Sequence, residues 1–234
     1  MTQDPRLGRL SSARKPFTMS RRALLGALAG LPFIASAAGA ADSAMELTDQ
    51  DKADLKRVAA YLDGIRTMRA RFQQIASTGG ISTGKIYLRR PGDLRVEYDP
   101  PVPVLLVADG FWVSYYDSQL DQLTQIPIEQ TPIWFLVQNT IQFTNKITVT
   151  DIERSPGAIR LTMHQTDKPD AGSASLTFAD EPLELRQWKI TDSQGTEVEI
   201  ALQNAEFGGA LSNDLFATPK TRRQTGATTS GGKS

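Results

Sequence analysis

The stretch from Gly84 to Asp117, GKIYLRRPGDLRVEYDPPVPVLLVADGFWVSYYD, narrows most what this chain can fold into. Four short runs sit in it: Lys85–Arg89, Leu94–Tyr98, Val104–Val107 and Phe111–Tyr116. Turn chemistry separates them, at Arg90-Pro91-Gly92-Asp93, Asp99-Pro100-Pro101 and Asp109-Gly110. Short β-rich runs broken by Pro-Gly and Asp-Gly signal an antiparallel meander. Leu94, Val96 and Tyr98 alternate with Arg95 and Glu97, so one face of that strand is apolar and the other wet. Ile86 and Leu88 oppose Tyr87 and Arg89 in the same way.

The regions on either side extend this pattern. Leu47–Ile65 reads as a helix, capped by Thr48, with Asp49 and Asp51 in the first turn where the helix dipole favours acids. Leu55, Val58, Ala59, Leu62 and Ile65 form one apolar stripe, which serves either a core or a ligand cavity. Met68–Ile75 reads as a strand and Ser77–Thr83 as a turn. Further strands are expected at Leu120–Thr124, Ile147–Ile152, Ile159–Met163, Ala174–Phe178, Leu183–Ile190 and Val198–Leu202. Between the first two of these, Pro127–Asn139 predicts a short helix with Pro132 in its first turn, apolar nearly all round through Ile133, Trp134, Phe135, Leu136 and Val137. That helix is either a core element or a cover. About ten strands are too many for a flat open layer. The expected fold is therefore mainly β with α: an incomplete, half-closed antiparallel β-barrel with helices forming a lid over an apolar cavity.

The ends of the chain read differently. Residues 1–40 carry Arg21-Arg22-Ala23-Leu24-Leu25, an apolar run Ala27–Ala38, and Ala38-Gly39-Ala40 as a small-residue cleavage site. This predicts an export signal, either twin-arginine or ordinary secretory. The run is shorter than the roughly 20 residues of a spanning helix and holds Gly30 and Pro32. Met19 is an alternative start. Residues 41–217 would form one domain, and the Thr-Gly-Ser-rich stretch 218–234 a disordered tail. Removing residues 1–40 takes away six basic residues and one acid, which leaves 20 basic and 25 acidic, a net charge of −5. Nucleic acid is a poor partner for such a surface.

Composition also limits the chemistry. There is no cysteine, hence no disulfide, no thiolate ligand or nucleophile, and no lipidated cysteine. The single histidine, His164, leaves little material for a triad or a histidine metal site. No phosphate-binding glycine loop is present, so no cofactor and no metal is expected. Asp99, Asp109, Asp117 and Asp121 are the candidate carboxylates of a hydrolase, but nothing puts two of them on one face. Asp109-Gly110 is a hairpin turn.

Several spaced elements nevertheless occur in an order that resembles the LolA-type periplasmic lipoprotein carriers. They are Gly84, Arg90-Pro91-Gly92, Leu94-Arg95, Tyr98, Pro101, Asp109-Gly110 and Tyr116-Asp117, within a likeness running from about Leu55 to Pro219. The resemblance implies a soluble, monomeric, non-enzymatic shuttle in the periplasm. It would take acylated lipoproteins from an inner-membrane ABC-type releasing complex to an outer-membrane acceptor. It implies that the segment around Trp134 is a lid, and that Arg90 latches it by hydrogen bonds to the lid backbone. The cavity wall would come from Leu94, Val96, Tyr98, Leu105, Val107, Trp112, Trp134, Phe135 and Leu136. A related lipid- or glycolipid-binding module, or a lipoprotein sensor of the same fold, is the alternative. A carboxylate hydrolase is a remoter one. Twin-arginine export and a basic tail depart from the family's usual pattern.

Overall fold

The computed structural model describes residues 45–143 and 146–221. The expected export segment 1–40 lies outside the described residues. Of the expected tail, residues 218–221 are described and carry no regular secondary structure.

Helix α1 spans Asp49–Gly64. Thr48 caps it: its hydroxyl accepts from the Asp51 N–H, and the Asp51 carboxylate accepts from the Thr48 N–H at 2.8 Å. This reciprocal box satisfies two donors that a helix start leaves without partners. Leu55, Val58 and Leu62 are buried along one side, with Ile65 just beyond the helix, so the apolar stripe faces the core.

Eleven strands form one antiparallel sheet. They are β1 (Thr67–Ala76), β2 (Ile81–Arg89), β3 (Asp93–Tyr98), β4 (Val104–Asp109), β5 (Trp112–Asp117), β6 (Gln122–Pro127), β7 (Ile147–Ser155), β8 (Ala158–Gln165), β9 (Gly172–Ala179), β10 (Glu184–Asp192) and β11 (Glu197–Phe207). The order is β6-β5-β4-β3-β2-β1-β11-β10-β9-β8-β7. Two meanders, β1–β6 and β7–β11, thus meet where β11 returns to pair with β1. The sheet does not close. Its end strands are β6 and β7, neighbours in sequence, so the chain between them must bridge the whole sheet.

Register defines the inner face. Met68, Leu88, Leu94 and Ala108 stand in one row, and Ala70, Ile86, Val96 and Leu106 in the next. Directly opposed residues share a face, and these join the buried residues of α1 in one core. In a third row Gly84 separates Phe72 from Tyr98. A Cβ on Gly84 would meet the Glu97 carbonyl oxygen at 2.0 Å and the Phe72 ring at 2.6 Å. The missing side chain lets the two rings meet edge-to-face across it, with centroids 5.3 Å apart.

The outer face has its own cover. A 3-10 turn, Asn213–Phe216, packs on β3 and β4. Arg89 Nη1 donates to the Leu211 carbonyl at 3.3 Å, and Arg95 Nη1 to the Leu215 carbonyl at 2.8 Å. The Arg89 guanidinium also lies 4.6 Å above the centre of the buried Phe216 ring.

The expected lid of several helices is corrected. Among the described residues α1 is the one α-helix; the second covering element is built from 3-10 turns. The sequence signals beyond Leu202 were also too short, because β11 continues to Phe207.

Candidate functional site

Residues 128–143 leave β6 toward β7 and form a strap. Its regular parts are 3-10 turns, Ile128–Gln130 and Trp134–Val137, and not the predicted helix started by Pro132. Pro127 and Pro132 lack the N–H groups an α-helical ladder needs there. The chain makes shorter bonds instead, Thr131 N–H to Ile128 O at 2.9 Å and Leu136 N–H to Ile133 O at 3.0 Å. Trp134, Phe135, Leu136 and Val137 are all buried. Four consecutive buried side chains on a turn of three residues point all round its axis, so the strap is packed in on every side.

Hydrogen bonds fasten it. Arg90, at 6% exposure, donates from Nε to the Leu136 carbonyl and from Nη1 to the Leu62 carbonyl, both at 2.7 Å. One guanidinium thereby joins the strap to the last turn of α1. The Gly92 N–H donates to the Val137 carbonyl at 2.9 Å. The Asp63 carboxylate accepts the Ile141 N–H at 2.7 Å. Arg66 Nη1 donates to Asn139, at 3.3 Å to its carbonyl and 3.0 Å to its Oδ1. Of these, only Arg90 is marked in the sequence, by its motif; the rest act through backbone groups or from the helix end.

Arg90 has no carboxylate in contact. Burial pushes its pKa down to about 10, with the nearby Asp63 charge opposing this and Arg66 adding to it. It is still a cation at neutral pH. Keeping it charged in the closed strap costs on the order of 3 kcal/mol relative to water.

The expected wall residues fall on both faces. Leu94, Val96 and Tyr98 are on the inner face, and Trp134, Phe135 and Leu136 lie in the strap above it. Leu105, Val107 and Trp112 are corrected to the outer face. Leu105 opposes Glu97, Val107 opposes Arg95, and Trp112, at 45% exposure, opposes Pro127. Leu106, Ala108 and Val113 hold the inner positions. Tyr98 donates its hydroxyl to the buried Gln74 side chain, and burial raises its pKa.

Little of the hollow expected under the strap is open: a crevice of about 10 Å³ lies between Trp134 and Phe135 and the buried Ile147, Met163 and Ala174 of the sheet. Phe72, Phe178 and Trp188 are among the side chains fully buried in the core beside α1 and the strap. Open clefts lie at the strap's far end, one of about 350 Å³ against α1 and one of about 280 Å³ against Trp134 and Ile147.

The candidate carboxylates serve structure. Asp99 pairs with Arg71 and accepts the Thr83 hydroxyl, which hold its pKa below the usual range. Asp109 accepts the N–H groups of Phe111 and Trp112, Asp117 those of Gln119 and Leu120, and Asp121 the Tyr116 hydroxyl. Among the described residues no His, Asp or Glu cluster could hold a metal ion. No helix among them is long and apolar enough to cross a membrane.

Residues 63–219 match the family model described as outer membrane lipoprotein carrier protein LolA. An outer-membrane lipoprotein carrier protein of Chromohalobacter salexigens is 32% identical over 173 residues, covering 69% of this chain and 80% of that protein. One from Pseudomonas syringae pv. syringae is 28% identical over 183 residues, covering 74% and 85%. An uncharacterized protein of Rickettsia prowazekii is 24% identical over 156 residues, covering 67% and 72%.

Proposed function

Because this chain belongs to the LolA family of outer-membrane lipoprotein carriers, we propose that it is exported to the periplasm and there shields the acyl chains of lipoproteins between the two membranes. The cargo would come from an inner-membrane ABC-type releasing complex and pass to an outer-membrane acceptor. The carrier would work as a monomer, without cofactor and without catalysing a reaction. Residues 1–40 would be the export signal, 41–217 the carrier domain and 218–234 a tail.

One observation carries this reading: the buried Arg90 guanidinium ties the strap carbonyl of Leu136 to the α1 carbonyl of Leu62. A strap held by a costly buried cation is closed but not locked. Raising it would free the space that Trp134, Phe135, Leu136 and Val137 fill. Each such side chain is worth about 1.5–3 kcal/mol on burial, and each acyl methylene about 0.8 kcal/mol. One long acyl chain therefore roughly offsets the loss of the four side chains. A near-balanced exchange gives the moderate, switchable affinity that a carrier needs. Leu94, Val96 and Tyr98 would line the opened space.

The test is transfer of acylated cargo from purified complex to acceptor. Arg90→Leu removes the latch, so the strap should stay open on its cargo and release should slow. Transfer at the wild-type rate would take Arg90 out of the mechanism. Loss of the whole protein should leave lipoproteins at the inner membrane.

A further inference from the structure

The cleft against α1 opens at the edge of the core, where the end of the strap meets the helix. Leu47, Leu55 and Ala59 form one wall, Ile141 and Phe143 the other, in a volume of about 350 Å³. Ile141 and Gln142 also line the second cleft. Lys52 and Lys56, one turn apart on α1, stand at its rim, and among the described residues no acid lines it. Both lysines are exposed; Lys52 pairs with Asp49 at 3.1 Å, itself fully in water. The volume is at the small end of ligand sites, which run from roughly 300 to 1,000 Å³. It suits one hydrocarbon chain, and not the several chains of a multiply acylated lipid.

We propose that this cleft binds a single long-chain fatty acid, its chain along Leu55, Ala59 and Ile141 and its carboxylate between the Lys52 and Lys56 ammonium groups. The shape selects a thin apolar body and the rim selects a negative head. Lysine suits that head, because a compact cation on a flexible stem follows a mobile carboxylate. The end of the strap supplies one wall, so the site is complete while the strap lies against α1, and Arg90 is not among the residues that line it.

A naturally fluorescent polyene fatty acid, titrated into the purified full chain, should bind more tightly than its uncharged methyl ester. The exposed pair Lys52→Gln and Lys56→Gln should weaken the acid by between about threefold and tenfold, the scale of exposed ion pairs, and leave the ester unchanged. Raised salt should shrink the same difference. Ala59→Trp, which fills the cleft from the half-buried side of α1, should abolish binding of both probes. Equal affinity for acid and ester, or no effect of the lysine pair, would overturn the proposal. So would binding that survives Ala59→Trp, since the probe would then sit elsewhere. Cargo transfer by the lysine variant should stay at the wild-type rate, which keeps this outcome separate from the fate of the strap mechanism.

Discussion

Arg89 and Arg90 are neighbours in sequence and hold opposite sides of the sheet. Arg89 reaches the outer face and ties down residues 211–216. Arg90 reaches the inner side and ties down the strap. Arg90 forks onto two main-chain oxygens, whereas Arg89 reaches the Leu211 carbonyl and the Asn213 side chain, and both secure a segment built on 3-10 turns. Their surroundings differ. Arg89 is partly exposed, pairs with Asp93 and stacks on Phe216, so its charge is compensated. Arg90 is buried on carbonyls with no carboxylate in contact. On the proposed function, the same chemistry would make a lasting clasp where the cation is satisfied and a releasable catch where its burial is costly.

Four experiments test that contrast. The largest effect is expected for Arg90→Leu. Cargo transfer should fall by at least about tenfold, the rate equivalent of about 1.4 kcal/mol, and protease should cut residues 128–143 more readily. Arg90→Lys should fall between, because one ammonium cannot span both carbonyls in the fork geometry. Next is Phe216→Ala, which should cost about 3 kcal/mol in denaturant unfolding, with transfer unchanged. A transfer defect there would end the distinction between clasp and catch. Asp63→Ala frees the Ile141 N–H and should cost about 1–2 kcal/mol, seen as faster hydrogen exchange at the strap's far end.

The smallest effect concerns the start of α1. The Thr48 hydroxyl and then Arg154 hold the Asp51 pKa down from 3.8 to about 2. A carboxyl lowered on folding contributes stability that is complete above its unfolded value and lost as pH falls through the folded one. Acid titration should therefore show a loss between about pH 4 and pH 2, and in Thr48→Ala that loss should be smaller and end at higher pH, because the folded pKa rises toward the unfolded one. Unchanged acid unfolding in that variant would remove the cap from the account.

Much of the sheet was legible because its turns are chemically explicit and its strands alternate. Leu94, Val96 and Tyr98 could be placed on one face from the polar Arg95 and Glu97 between them. Strand β4 could not, since Val104, Leu105, Leu106, Val107 and Ala108 are apolar without a break. Its period gives no direction. Val107 is buried on the outer side of β4, and the turn that packs on this strand and ends in Phe216 lies more than a hundred residues away. The strap was legible as buried and short, but not as 3-10, because two prolines weaken a helical ladder only in combination. Arg90 stood out through its motif. Its acceptors, the carbonyls of Leu62 and Leu136, could not, because backbone oxygens carry no sequence signature.

On the proposed function, the strand order also bears on the cargo. The two terminal strands of the sheet, β6 and β7, are consecutive along the chain and unpaired with each other, so a space opened by raising the connecting segment would be a slit rather than a ring. Something greasy could slide in sideways while the bulky folded body attached to it stays outside. No part of that body would ever have to be threaded through, and its size would not matter to the carrier.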